Sequence, residues 1–178
     1  MKIKIVTGYL LILILSFVLY SIKPAHTIYY SSLPVLMLAF PIIAGHRVKL
    51  RFTIKDLLIG LAASVIILVP YYIFFGGNVK TVSMYYALFQ LLVVAFPEEV
   101  FFRGFIQDSL GRNLKSVLFV SLLFSIAHLP KAYFSGEWIS LLSFFPSIVM
   151  GWLYMKTNNI LPGTIFHLLA NLVYSTTY

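Results

Sequence analysis

The chain contains no cysteine. It therefore has neither a disulfide frame nor a thiolate nucleophile, and its redox compartment is left open. It is also poor in charge, with 10% charged residues and only 5 acids among 178 positions. An ordinary soluble domain carries about 25% charged residues, so a water-facing surface of the usual kind is excluded. No basic helix and no aromatic-interleaved basic patch accompanies the net charge of +8, which argues against nucleic acid as a partner. There is no internal repeat, low-complexity tract or long linker. What remains is hydrophobic: 61% of the residues are apolar, so the solvent for most side chains is lipid or other helices.

A membrane-spanning helix needs about 20 mainly apolar residues. Seven segments meet this pattern: 5–22, 29–45, 57–75, 82–110, 115–129, 138–155 and 160–174. They predict an all-α, polytopic integral membrane bundle of about seven transmembrane helices (six to eight) and a single membrane domain over 1–178. Gly, Pro and Asn punctuate the connections, as at Lys23-Pro24, Gly76-Gly77-Asn78, Gly111-Arg112-Asn113 and Thr157-Asn158-Asn159. The first segment follows Lys2 and Lys4, but it is long for a signal peptide and Ser21-Ile22-Lys23-Pro24 is a poor cleavage site. It is read as a retained helix. With the N-terminus inside, the inner segments hold 9 Lys and Arg, the outer ones 3, and Arg103 lies within the fourth helix. The asymmetry places the protein in a cell membrane, multi-pass, with a cytoplasmic N-terminus and, for seven spans, an outer C-terminus.

Ionisable groups within a span cost about 2.5–3.5 kcal/mol each by insertion scales, so each needs a reason. The fourth segment contains Phe96-Pro97-Glu98-Glu99-Val100-Phe101-Phe102-Arg103. Glu99 and Arg103 are i, i+4 and can pair on one helix face. Glu98 points about 100° away and is free for another task. Phe124 and His128 are i, i+4 on the fifth segment, and His167 and Asn171 on the seventh. A helix rise of about 1.5 Å per residue puts Glu98, His128 and Asn171 roughly 20 Å from the inner turns, and His167 roughly 14 Å. Four polar side chains on three helices are thus expected to converge on one membrane level. The bland reading of each group alone is a structural knot or a satisfied histidine.

These motifs resemble those of the CPBP family, intramembrane proteases that include CAAX prenyl endopeptidases and bacteriocin-processing or self-immunity proteins. The family pattern is two glutamates followed after three residues by arginine (Glu98-Glu99 to Arg103), Phe with His four later (Phe124, His128) and His with Asn four later (His167, Asn171). All three occur in order on separate helices. The chain is short for this family, so the resemblance implies that an eighth helix is missing. It further implies an intramembrane endopeptidase, with its catalytic core at about 82–174, acting on a membrane-associated or lipid-modified peptide or protein within the lipid bilayer. Glu98 and His128 would activate water, and His167 and Asn171 would hold the oxyanion. Glu99 and Arg103 would orient the helix, and Phe124 would shape the pocket. No cofactor is expected. Zinc is the alternative, with Glu98, His128 and His167 as ligands, although the HExxH signature is absent. Other readings are a non-catalytic membrane regulator or immunity protein on the same fold, and a small transporter. The transporter would show paired inverted repeats with matching helix breaks.

Overall fold

The computed structural model describes residues 2–76 and 81–177. Among the described residues seven helices appear: α1 (Lys2–Ile22), α2 (Ser32–Ile43, entered through a 3₁₀ turn at Thr27–Ser31), α3 (Ile54–Phe75), α4 (Met84–Leu110), α5 (Leu114–Ser135, interrupted at His128), α6 (Trp138–Thr157, beginning as 3₁₀) and α7 (Leu161–Thr177). Every helix expected from the hydrophobic pattern is present. Five of them, α1 and α3 to α6, are long and apolar enough to cross a membrane. The apolar run ending in α2 spans only Tyr29–Ile43, and α7 has 17 described residues. The expected turn residues Gly77 and Asn78 and the outer cation Lys80 lie outside the described residues.

Local chemistry sets the helix starts. Thr53, Ser83 and Asn113 each stand just before a helix, and their side-chain oxygens accept from the backbone N–H of Asp56, Tyr86 and Ser116. Such caps satisfy donors that the first turn would otherwise leave orphaned. In α1 the buried positions are Ile5, Gly8, Tyr9, Ile12, Ser16 and Leu19, a three-to-four residue stripe facing the bundle. The other faces carry exposed Ile3, Leu10 and Ile14, which suits lipid rather than water.

Helix α3 buries only Asp56, Gly60 and Ser64. A Cβ at Gly60 would stand 2.8 Å from the Pro162 carbonyl oxygen, so this small-residue stripe lets α7 approach closely. The core is aromatic, with Phe101, Phe102, Phe105, Phe124 and Phe166 among its members, and α4 runs through its middle.

The segments rich in Lys and Arg meet at one end of the bundle. Lys4 donates to the Ala44 carbonyl at 2.9 Å. Lys49 pairs with Asp108 at 2.9 Å, and Tyr154 donates to the same carboxylate at 2.8 Å. The Asn159 side chain bridges Arg51 O and Asp56 Oδ2 at 2.8 and 3.0 Å. Four chain segments thus touch one another at this end of the bundle.

Candidate active site

Helix α4 is irregular where it carries its charges. Its backbone is π-helical over Gln90–Ala95 and Val100–Gln107, flanking one α-helical turn at Phe96–Glu99. Pro97 lies within that turn; it has no amide proton, and its ring crowds the carbonyl one turn earlier. Wider i→i+5 turns are frequent at functional sites. Here they bracket the two glutamates.

The charges form one cluster. Glu99 and Arg103 are fully buried and pair at 3.1 Å, i to i+4. The Arg103 guanidinium also donates to Ser147 Oγ at 2.8 Å and Ser147 O at 3.2 Å, and stacks 4.8 Å from the Phe124 ring centre. Arg103 therefore ties α4 to α6 and α5. His167 of α7 stands between the two carboxylates. Its Nδ1 lies 3.3 Å from Glu99 Oε1 and its Nε2 lies 3.6 Å from Glu98 Oε2. An ionised Glu99, held by Arg103, can only accept a hydrogen bond, so Nδ1 carries the proton and Nε2 faces Glu98. The Glu98 side chain keeps 18% exposure against 0% for Glu99. Its Oε2 is nevertheless buried and accepts no hydrogen bond. Of the two acids, Glu98 is the one reachable by a small molecule.

The remaining predicted residues surround this cluster. His128 sits at the interruption of α5, and its Nδ1 is 2.8 Å from the Phe124 carbonyl oxygen. A carbonyl accepts only, so Nδ1 donates and a neutral ring keeps the Nε2 lone pair free. The Phe124 ring touches both imidazoles, with centroid distances of 4.9 Å to His128 and 5.7 Å to His167. No carboxylate pairs with His128 among the described residues. The Asn171 amide donates to Gln90 Oε1 at 3.0 Å, which spends one of its two N–H groups. Thus Glu98, Glu99, Arg103 and His167 are joined directly, His128 joins through Phe124, and Asn171 joins α4 through Gln90.

Three partners escaped the sequence reading. Gln90 and Ser147 are polar residues in apolar helices, and that oddity was the available signal. Gly163 left no such mark. A Cβ there would stand 2.6 Å from Glu99 Oε2, so its missing side chain makes room for the carboxylate. Gly163 and His167 are i, i+4 on α7, so the same helix face cradles Glu99 and contacts it.

The suitability of the cluster for zinc turns on its donors. A catalytic zinc site takes three protein ligands around one point. Among the described residues, no three His, Cys, Asp or Glu side chains gather as such a group. Glu98, His128 and His167 are not assembled as a ligand set in this arrangement.

No curated protein and no solved structure matches the chain. Residues 80–173 match the family described as Type II CAAX prenyl endopeptidase Rce1-like. The matched region covers more than half of the 178 residues. It spans all three motifs and α4 to most of α7, the segment that builds the charge cluster. Protease activity is what membership of this family implies. The chain belongs to the Rce1-like type II CAAX prenyl endopeptidase family.

Proposed function

We propose that the protein is a glutamic-type intramembrane endopeptidase cleaving a membrane-anchored, prenylated protein or peptide, with Glu98 as general base. The observation that carries this reading is the Glu98 carboxylate, whose side chain keeps 18% exposure where Glu99 has none and whose Oε2 lies 3.6 Å from His167 Nε2. A water on the exposed side of that carboxylate would meet a proton acceptor next to an imidazole.

The steps follow from the side chains. Glu98 takes a proton from water as oxygen attacks the scissile carbonyl, and the carbonyl oxygen becomes an oxyanion. His167 Nε2, when protonated, and the second N–H of Asn171 donate to that oxyanion. Glu99 balances Arg103, so a doubly protonated His167 is balanced in turn by Glu98. His128, with Nδ1 held by Phe124, accepts from the same water through Nε2; the proton that Glu98 took then passes through that Nε2 to the leaving amine as the C–N bond breaks, which restores both groups. No cofactor enters this scheme.

The test compares Glu98→Ala with Glu99→Ala in membranes carrying a farnesylated CAAX reporter. Glu98→Ala abolishes cleavage while the protein still accumulates; Glu99→Ala also lowers folded yield, since it strands Arg103. Full cleavage by Glu98→Ala would end the mechanism. Loss of activity on chelation, restored by zinc, would favour the metal version.

A further inference from the structure

A second site lies at the cationic end of the bundle. A cavity of about 640 Å³ opens between α3 and α6 above the turn joining α6 to α7. Its two walls carry the same pattern. On α3, Lys55 is followed one turn later by Ile59. On α6, Lys156 is preceded one turn earlier by Trp152. One helical turn is about 5.4 Å, so both walls pass from cation to apolar surface over the same depth. Arg51 adds a third exposed cation at the rim, and buried Leu153 lines the apolar part. The lining holds one acid, Asp56, which is buried and already bonded by Thr53 Oγ1 at 2.7 Å and Asn159 Nδ2 at 3.0 Å. The net field at the rim is positive. Trp152 is 45% exposed and lies 5.9 Å from the Lys156 ammonium, an arrangement suited to the membrane–water boundary.

We propose that this groove binds one anionic phospholipid, with its phosphate among Lys55, Lys156 and Arg51 and an acyl chain along Ile59 and Trp152. The cation-to-apolar gradient on both walls matches an amphiphile. It does not match a small soluble anion, which would leave the apolar half of the groove empty. Basic pockets between transmembrane helices are where anionic headgroups bind. The site is separate from the Glu98 cluster and does not depend on the protease reading.

The test uses Trp138→Phe protein, whose only tryptophan is Trp152, reconstituted in phosphatidylcholine vesicles. Quenching of Trp152 is titrated with acyl-brominated phosphatidylglycerol or acyl-brominated phosphatidylcholine. One near-surface cation contributes about 1 kcal/mol towards an anionic lipid, so the relative binding constant should favour phosphatidylglycerol by about fivefold or more. Lys55→Gln/Lys156→Gln, which leaves Arg51, should lower that ratio, and Arg51→Gln/Lys55→Gln/Lys156→Gln should bring it to about one. Equal quenching by the two lipids would overturn the proposal, as would a preference that survives the triple substitution. Loss of the preference in inorganic phosphate, but not in chloride of matched ionic strength, would overturn the lipid assignment in favour of free phosphate.

Discussion

Gly163→Ala probes how closely α7 must approach the paired charges. The new methyl would lie 2.6 Å from Glu99 Oε2, well inside van der Waals contact. The carboxylate cannot easily retreat, because it is fully buried and held by Arg103 at 3.1 Å. Arg103 is itself anchored on Ser147 at 2.8 Å. The helix must therefore shift by several tenths of an ångström, and overpacking of this kind costs about 1–3 kcal/mol. His167 sits one turn along on the same face, so the shift lengthens its 3.3 and 3.6 Å contacts with Glu99 and Glu98. Misplacement of catalytic groups by about 1 Å can cost about 100-fold in rate. We expect Gly163→Ala to cleave a prenylated peptide about 10- to 100-fold more slowly, by the same positioning argument, and to unfold at lower temperature in detergent. Gly151→Ala is the control, because its Cβ would meet Val117 Cγ1 at a milder 3.1 Å. Gly163→Ala retaining both rate and melting temperature would refute the claim that Glu99 is packed against α7.

Arg103→Met leaves Glu99 as an uncompensated buried charge and should destabilise the fold by about 3–5 kcal/mol, read as lost folded yield and a lower melting temperature. The double variant Glu99→Gln/Arg103→Met removes both charges and should be more stable than Arg103→Met alone; equal loss would deny the pair. Gln90→Ala removes the acceptor that holds Asn171 and should lower kcat more than it raises KM. Gln90→Glu, which still accepts, should recover most of the rate, and failure to do so would assign Gln90 a packing role only.

The helices were legible because lipid imposes a simple code, long apolar runs broken by Gly, Pro and Asn. The Glu99–Arg103 pair was legible for the same kind of reason, since i, i+4 spacing survives along α4. So was the Phe124–His128 motif, whose side chain bonds back to the carbonyl four residues earlier. The shared role of Glu98 and Glu99 was not. A 100° separation suggested unrelated tasks, yet an imidazole has nitrogens on two edges, and His167 placed between the acids meets both. Nor does any local pattern link Gln90 to Asn171, 81 residues apart. The cradle at Gly163 depends on how two helices cross, which hydrophobic periodicity does not specify. The break of α5 at His128 does have a local cause, Pro130, which has no N–H for the carbonyl of Ile126, whereas no local pattern foretells the 3₁₀ entry to α6.

The role of Glu98 can be measured most directly by single-turnover cleavage of a farnesylated CAAX peptide by purified Glu98→Gln. This change keeps the size of the side chain and removes its basicity. A positioned general base contributes about 10²- to 10⁴-fold, so the cleavage rate should fall by that factor while peptide affinity and melting temperature stay near those of the unsubstituted protein. A Glu98→Gln rate within a few-fold of the unsubstituted protein would contradict the assignment of Glu98 as the base.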